Sequence, residues 1–307
     1  MRIETLFYVL LALALGCGGG GGGGASGPSS PVYTGPTTPA VIGSTTDAQN
    51  LVNGAVNGSE AAAILMASTQ GPPRQPLILP NLVRALTQVA LGIKPGSGPA
   101  AGNVISGVGY GPCGGTVTLS ATGNGTTAWD YNGTMVFSNY CITATDGTPV
   151  VVDGITTFSM NGPDDQDYNF SLVSSYLALT EGGQAYIFSL DVSGDEVSGQ
   201  IGAVTLNCTY LAPDQKVYMV TNYQVTATAT TVSISGTFYD PAYGYVTVAT
   251  SNPPLTFSDC SGTTLPISGW VRVTGANGYY GELDPLGCAN YNICFYNGTS
   301  NCQTTDW

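Results

Sequence analysis

The chain has 307 residues, enough for one large domain or two small ones. Its Lys and Arg residues number only 6 against 19 Asp and Glu, so it lacks the basic patch that neutralises phosphates, and we expect no nucleic-acid partner. Because the chain has no histidine, it cannot form a Ser-His-Asp or Cys-His catalytic site or the usual zinc and copper sites.

Residues 1–16 have the form of an export signal. Arg2 precedes an apolar run that ends at Leu15, and this run is too short to span a bilayer as a mature helix. The segment ALGC at 14–17 resembles the lipobox of bacterial lipoproteins, in which cleavage leaves an N-terminal cysteine that carries lipid such as palmitate. The resemblance implies lipidation of Cys17. It also implies sorting to the outer membrane, because Gly18 rather than Asp follows the cysteine.

A second cleavage frame competes with the lipobox. The segment ALA at 12–14 has the small-x-small form that ordinary signal peptidase cuts. Cleavage after Ala14 would leave Leu15 as the first residue and Cys17 in an unlipidated, secreted chain. We favour lipidation, because Gly-Cys at the end of an apolar run is otherwise unusual and a glycine run follows it.

Residues 17–46 are rich in Gly and Pro and are typical of a tether between a lipid and a domain. Residues 47–95 are then predicted to form two short helices. Ser44 and Asp47 are good N-cap residues, and apolar residues recur after them at helical spacing. A second helical pattern covers residues 82–92 and ends at Gly92.

Residues 100–307 are predicted to form an antiparallel β domain. The apolar pattern there changes to a period of two, with Tyr186, Phe188 and Leu190 on one face and Ser189 and Asp191 on the other. Turn signals separate roughly a dozen such runs, and nothing between them reads as a crossover helix. We therefore predict a mainly β fold: a large antiparallel β-sandwich, or a curled sheet or partial barrel, preceded by the two short helices.

Two segments of this domain are similar to each other. The segment MVFSNYC at 135–141 matches LTFSDC at 255–260, and each is followed by a loop and a strand that contains glycine. Two similar hairpins would explain the match. This motif also resembles one found in poorly characterised β-rich envelope lipoproteins of bacteria, and that resemblance implies no established activity.

Eight cysteines in an exported chain indicate disulfides. If Cys17 carries lipid, seven remain and one is unpaired, whereas cleavage after Ala14 would let all eight pair. Cys113 and Cys141 flank a predicted hairpin, so we expect them to be bridged. We expect a second bridge between Cys208 and Cys260. The third should join two of the last three cysteines, which are Cys288, Cys294 and Cys302.

Acidic residues offer two further hypotheses. Asp164, Asp165 and Asp167 lie in one loop and could bind a structural calcium, although their spacing is not that of an EF-hand. Either these same three acids or Asp191 with Asp195 and Glu196 could supply the carboxylate pair of a glycosidase. We favour the simpler interpretation that these acids are polar turns between strands, so we expect no resident cofactor and no enzymatic activity.

Tyrosines in Gly- and Asn-rich segments predict a binding face for a glycan or a protein. They include Tyr243, Tyr245, Tyr279, Tyr280, Tyr291 and Tyr296, with Phe295 beside the last. The sequence thus predicts an outer-membrane lipoprotein with a non-catalytic role in binding, adhesion or envelope structure. Its partners would be the membrane, through its lipid, and a glycan or an envelope protein. The alternative is a carbohydrate-active or calcium-dependent surface protein.

Overall fold

The computed structural model describes residues 29–63, 104–123, 130–143, 149–163, 167–197, 200–227, 231–260 and 264–306. Within these ranges the chain is mainly β, as the alternating pattern predicts, and its strands form one antiparallel sheet that does not close. The predicted second helix at 82–92 lies outside the described ranges, as do the leader and Cys17.

The described residues form one α-helix and 16 strands. The helix and the first half of the sheet are α1 (Thr45–Ala63), β1 (Val104–Tyr110), β2 (Thr116–Gly123), β3 (Tyr131–Thr143), β4 (Pro149–Asn161), β5 (Tyr168–Glu181), β6 (Gln184–Val197), β7 (Gln200–Leu211) and β8 (Val217–Ala227). The second half is β9 (Thr231–Asp240), β10 (Gly244–Thr250), β11 (Leu255–Asp259), β12 (Thr264–Ser268), β13 (Val271–Thr274), β14 (Tyr280–Pro285), β15 (Asn290–Tyr296) and β16 (Ser300–Asp306).

Neighbours in the chain are mostly neighbours in the sheet. Each strand from β1 to β10 pairs with the next, and the path continues through β13, β14, β15 and β16. The hairpin β11–β12 leaves this path and attaches through β11 to β9. The two similar segments at 135–141 and 255–260 lie in or at the end of the first strands of the hairpins β3–β4 and β11–β12, in agreement with the hairpin interpretation.

The core lies on one face of the sheet, which we call the inner face. Side chains alternate between the faces along each strand. On β7, for example, Val204, Leu206 and Cys208 are buried. Phe188, Phe238 and Met135 are among the fully buried side chains of other strands. Burying each such side chain stabilises the fold by about 1.5–3 kcal/mol, so this face holds the sheet together. The opposite face is the outer face.

Helix α1 packs on the inner face. The Asp47 backbone N–H donates to the Ser44 hydroxyl at 3.1 Å, and the Asp47 carboxylate accepts the Gly43 N–H at 3.1 Å. The first bond satisfies a free donor in the first turn of the helix and confirms the predicted N-cap. The second holds the residue before the cap against the same turn. Four apolar residues of α1 are fully buried against β8, β9 and the strands β13 to β15: Ala48, Leu51, Val52 and Ala55.

A segment ahead of α1, residues 29–43, crosses from the outer face to the inner face, and we call it the strap. The Tyr33 ring lies 5.6 Å from the Tyr239 ring on the outer face. The Ala40 N–H then donates to the Tyr245 carbonyl at 2.7 Å, in a parallel bridge, while Ala40 and Ile42 are fully buried. The prediction of a tether over residues 17–46 is therefore wrong for its last part, because strand pairing and burial hold the strap on the sheet.

Register shifts run across the middle of the sheet. Each neighbouring pair from β3 to β9 has one, as a β-bulge produces. At two of them an asparagine has a positive φ: 48° at Asn139 and 50° at Asn222. Asparagine tolerates this conformation better than most residues. A bulge bends its strand and increases the local twist, so we expect the sheet to bend at these shifts.

Three disulfides close loops in the described residues. The Cys113–Cys141 bridge is present as predicted, and Cys294–Cys302 joins two of the last three cysteines as expected. The predicted Cys208–Cys260 bridge is wrong, because Cys260 pairs with Cys288 and Cys208 is a buried free thiol. Cys208 points from the middle of β7 into the core, whereas Cys260 follows β11 in the hairpin that leaves the main path.

Candidate ligand-binding face

The outer face is where a ligand can reach the described part of the domain. On β7 this face carries Thr205, Asn207 and Thr209, which alternate with the buried residues of the core. The side chains of the inner face are buried in the core, and α1 packs against part of that face. Hydroxyl and amide groups at the surface can exchange water for a polar ligand.

A cation sits between two aromatic rings at the C-terminal end of the outer face. The Arg272 guanidinium carbon lies 4.3 Å from the centre of the Trp270 ring and 4.1 Å from that of the Tyr280 ring. Arg272 Nε donates to Glu282 Oε2 at 2.8 Å, and Nη2 lies 2.6 Å from the same oxygen. These four residues form the Arg272 cluster. Each cation–π contact contributes about 0.5–1 kcal/mol at an exposed site, and more where water is excluded.

Strand register builds this cluster. Arg272 on β13 lies opposite Glu282 on β14, which lies opposite Cys294 on β15 and so beside its disulfide to Cys302. In the next row, the Tyr280 and Tyr296 rings stack at 4.9 Å. The side chain of Arg272 is 33% exposed and that of Glu282 15%. The arrangement is thus a stacked polar surface that water reaches from one side.

The predicted aromatic face divides between the two sides of the sheet. Tyr245, Tyr280 and Tyr296 alternate with buried neighbours and lie on the outer face. The other predicted aromatics, Tyr243, Tyr279, Tyr291 and Phe295, belong to the core or pack against it. The period of two explains the division, because adjacent residues such as Tyr279 and Tyr280 must point to opposite faces.

The acidic loop proposed for calcium is described only at one position. Asp164 and Asp165 lie outside the described residues, while Asp167 is half-buried and has an interaction partner. In the ranges that the structure describes, no three His, Cys, Asp or Glu side chains are grouped as a metal site.

The second acidic group is not a turn, contrary to the sequence interpretation. Asp191, Asp195 and Glu196 all lie within β6. Asp195 accepts the Ala203 backbone N–H at 2.9 Å, opposite a register shift in β7. Four residues along a strand span about 13 Å, whereas glycosidase carboxyl pairs are about 5–10 Å apart. Asp191 and Asp195 therefore lack that spacing.

Buried ionisable groups on the inner face are held neutral. Rings of the inner face stack across the sheet, with Tyr210 and Tyr218 at 5.3 Å and Phe188 and Tyr210 at 5.7 Å. Burial raises the pKa of Tyr210 and of the Cys208 thiol well above their ordinary values. Burial, together with the hydrogen bond to Asp214, also raises the pKa of Tyr218. These groups contribute to packing and do not form an activated nucleophile.

In comparisons with protein-family models, curated proteins and solved structures, nothing matched this chain. Among the described helical residues, none form a helix long and apolar enough to cross a membrane.

Sequence reasoning missed the Arg272 cluster, although its signal is in the chain. Trp270 and Arg272 are two residues apart, as are Tyr280 and Glu282, and a period of two places each pair on one face. What the sequence could not show is that β13 and β14 pair with Arg272 opposite Glu282.

Proposed function

We propose that this protein is exported and anchored to the bacterial outer membrane by a lipid on Cys17, and that its β domain has a non-catalytic binding role there. The lipobox-like segment at 14–17 supports the anchor. The outer face, with its exposed polar side chains and stacked rings, supports the binding role.

The pairing of the cysteines is the observation that carries this proposal. Of the seven cysteines after Cys17, six form three bridges, and the seventh, Cys208, is only 3% exposed. Disulfides belong to an oxidising compartment, which supports export. The odd count had favoured Cys17 as a disulfide partner, but the remaining thiol is inside the core. A thiol buried there is a poor disulfide partner for Cys17, which supports lipidation of Cys17.

The strap supports the same arrangement. Its pairing with Tyr245 fixes where the N-terminal segment joins the domain, next to the β9–β10 hairpin on the outer face. A lipid on Cys17 would therefore tether the domain to the membrane from this end of the sheet.

Fractionation of cells tests the anchor. We expect the wild type in the outer-membrane fraction and Cys17→Ala in no membrane fraction. Gly18→Asp should move the protein to the inner membrane in an organism that uses the Asp sorting rule, while Ser26→Ala should change nothing. Membrane association of Cys17→Ala equal to that of wild type would contradict the anchor.

The alternative is a carbohydrate-active or calcium-dependent surface protein. The carbohydrate version is favoured by Tyr245, Tyr280 and Tyr296, which lie on the exposed face where a sugar ring could stack. The calcium version stays a prediction for Asp164, Asp165 and Asp167. If these residues bind calcium, a chelator should lower the melting temperature of the protein. An unchanged melting temperature would rule out the calcium site.

A further inference from the structure

A groove of about 390 Å³ crosses four neighbouring strands of the domain. Ser189 and Asp191 of β6 and Asn207 and Thr209 of β7 line its floor, and Val173 of β5 and Met219 of β8 line its two sides. We call it the Asp191 groove. Its volume lies at the lower end of the range for small-ligand sites, about 300–1,000 Å³.

The register shifts on both sides give the groove its shape. In β5 the shift lies at Ser174 to Leu177, where the buried Ser174 hydroxyl donates to the Ile155 carbonyl at 2.6 Å. In β8 it lies beside Asn222, whose N–H donates to Asn207 Oδ1 at 2.8 Å. A bulge bends its strand, so we expect β5 and β8 to bend at the two sides of the groove. The groove is therefore built into the sheet.

Asp191 and Asn207 place opposite hydrogen-bonding groups side by side. They are directly paired across β6 and β7, so their Cβ atoms are about 5 Å apart. Since Asn207 Oδ1 is held by Asn222, the amide that remains is the NH₂ donor. The Asp191 carboxylate is exposed and makes no hydrogen bond or ion pair with any described residue. An acceptor on β6 and a donor on β7 thus lie at paired positions of the groove floor.

A ligand that donates one hydrogen bond and accepts another at neighbouring atoms would satisfy both Asp191 and Asn207. Two adjacent hydroxyls of a sugar can do this. The hydroxyls of Ser189 and Thr209 flank the pair along the floor, and the side chains of Val173 and Met219 offer apolar surface to the C–H face of a sugar ring. Anionic ligands are disfavoured, because Asp191 is the charge in the groove and the chain carries −13 overall.

We propose that the Asp191 groove binds a neutral saccharide, with Asp191 accepting from one hydroxyl and the Asn207 amide donating to its neighbour. The inference deepens the proposed binding role by naming a site and a ligand class. Saccharide binding does not depend on the lipid, so the groove proposal and the anchor proposal can fail separately. Glycan binding tests the groove, and the mass of the mature N-terminus tests the anchor.

The test uses the mature full-length protein in detergent on an array of neutral and sialylated oligosaccharides, followed by calorimetric titration of the neutral glycan that binds best. We expect retention of neutral glycans. Asp191→Asn should weaken binding at least about tenfold, since it removes a charged acceptor. Ser189→Ala should weaken it about two- to fivefold. Ser193→Ala, an exposed residue of the same strand outside the groove, is the matched control and should stay within about twofold of wild type.

Three outcomes would overturn the inference: no neutral glycan retained by the wild type, a preference for sialylated glycans, or equal affinity of wild type and Asp191→Asn. The last would place binding elsewhere, for example at the Tyr280–Tyr296 stack. Melting curves of the variants check folding, and Asp191→Asn is expected to melt like wild type because the Asp191 carboxylate makes no hydrogen bond or ion pair with any described residue.

Discussion

The side chain of Asn207 accepts the backbone N–H of Asn222 from the next strand, at 2.8 Å, where Asn222 has a φ of 50°. The same arrangement recurs between Asp153 and Asn139, at 2.6 Å, where Asn139 has a φ of 48°. In each case a carboxylate or amide satisfies the N–H that the register shift removes from the ladder. The register shift therefore leaves neither N–H group unpaired.

The left-handed conformation of Asn222 predicts how its substitution acts. Asn222→Ala should lower the free energy of unfolding by about 1 kcal/mol, because alanine disfavours a positive φ. Asn222→Gly should stay within about 0.5 kcal/mol of wild type, because glycine adopts this conformation freely. Urea denaturation measures both. Equal stability of the two variants would show that the backbone conformation does not decide the effect.

The Arg272 cluster predicts that lysine cannot replace arginine there. Arg272→Lys should lower the free energy of unfolding by about 1–2 kcal/mol, because lysine loses the planar contact with two rings and the forked contact with Glu282. The control is Lys216→Arg in an exposed ion pair with Asp214 (side chains 54% and 44% exposed), which should stay within about 0.5 kcal/mol. Similar effects of the two substitutions in urea denaturation would argue against a stacking contribution.

Cys208 predicts a specific thiol count. Its burial raises the thiol pKa, so the native protein should not react with a thiol reagent under non-reducing conditions. After unfolding in denaturant, one thiol per chain should react. A second thiol, or one that reacts in the native protein, would point to an unlipidated Cys17.

Neutralising the Asp284 carboxylate is predicted to raise the free energy of unfolding in a pH-dependent way. Burial raises its pKa in the folded protein, so its contribution to stability is full below the unfolded pKa and is lost as the pH rises through the folded pKa. Asp284→Asn should therefore be more stable than wild type at pH 7, by up to about 0.5 kcal/mol. The difference should shrink as the pH falls through the raised pKa of the folded protein and should be gone below the unfolded pKa, about 4. A difference that is constant from pH 3 to pH 7 would contradict this origin.

The sequence predicts what depends on local pattern. Alternation placed Tyr186 and Phe188 on one face, and both are buried there. Ser44 and Asp47 predicted the start of α1 because a cap needs only residues that are close in the chain. The Cys113–Cys141 bridge was predictable for a similar reason, since it closes consecutive hairpin strands.

What the sequence could not predict depends on distant pairing. Thr38 to Ala40 read as linker, because their partner Tyr245 is on a strand far along the chain. Cys260 was assigned to Cys208, because the departure of β11 and β12 from the main path is a tertiary feature. Asp191 and Asp195 read as a turn, although they lie inside a long strand. The Asp191 groove could not be predicted for the same reason, since its lining depends on the register of four strands.

The mass of the mature N-terminal peptide tests the central claim, the lipid anchor on Cys17, most directly. Protein purified from membranes is digested and its first peptide is analysed by mass spectrometry. The proposal predicts that this peptide begins at Cys17 and carries a diacylglyceryl group and a fatty acyl chain. An unmodified peptide that begins at Leu15 would contradict the anchor and make the protein a secreted β domain.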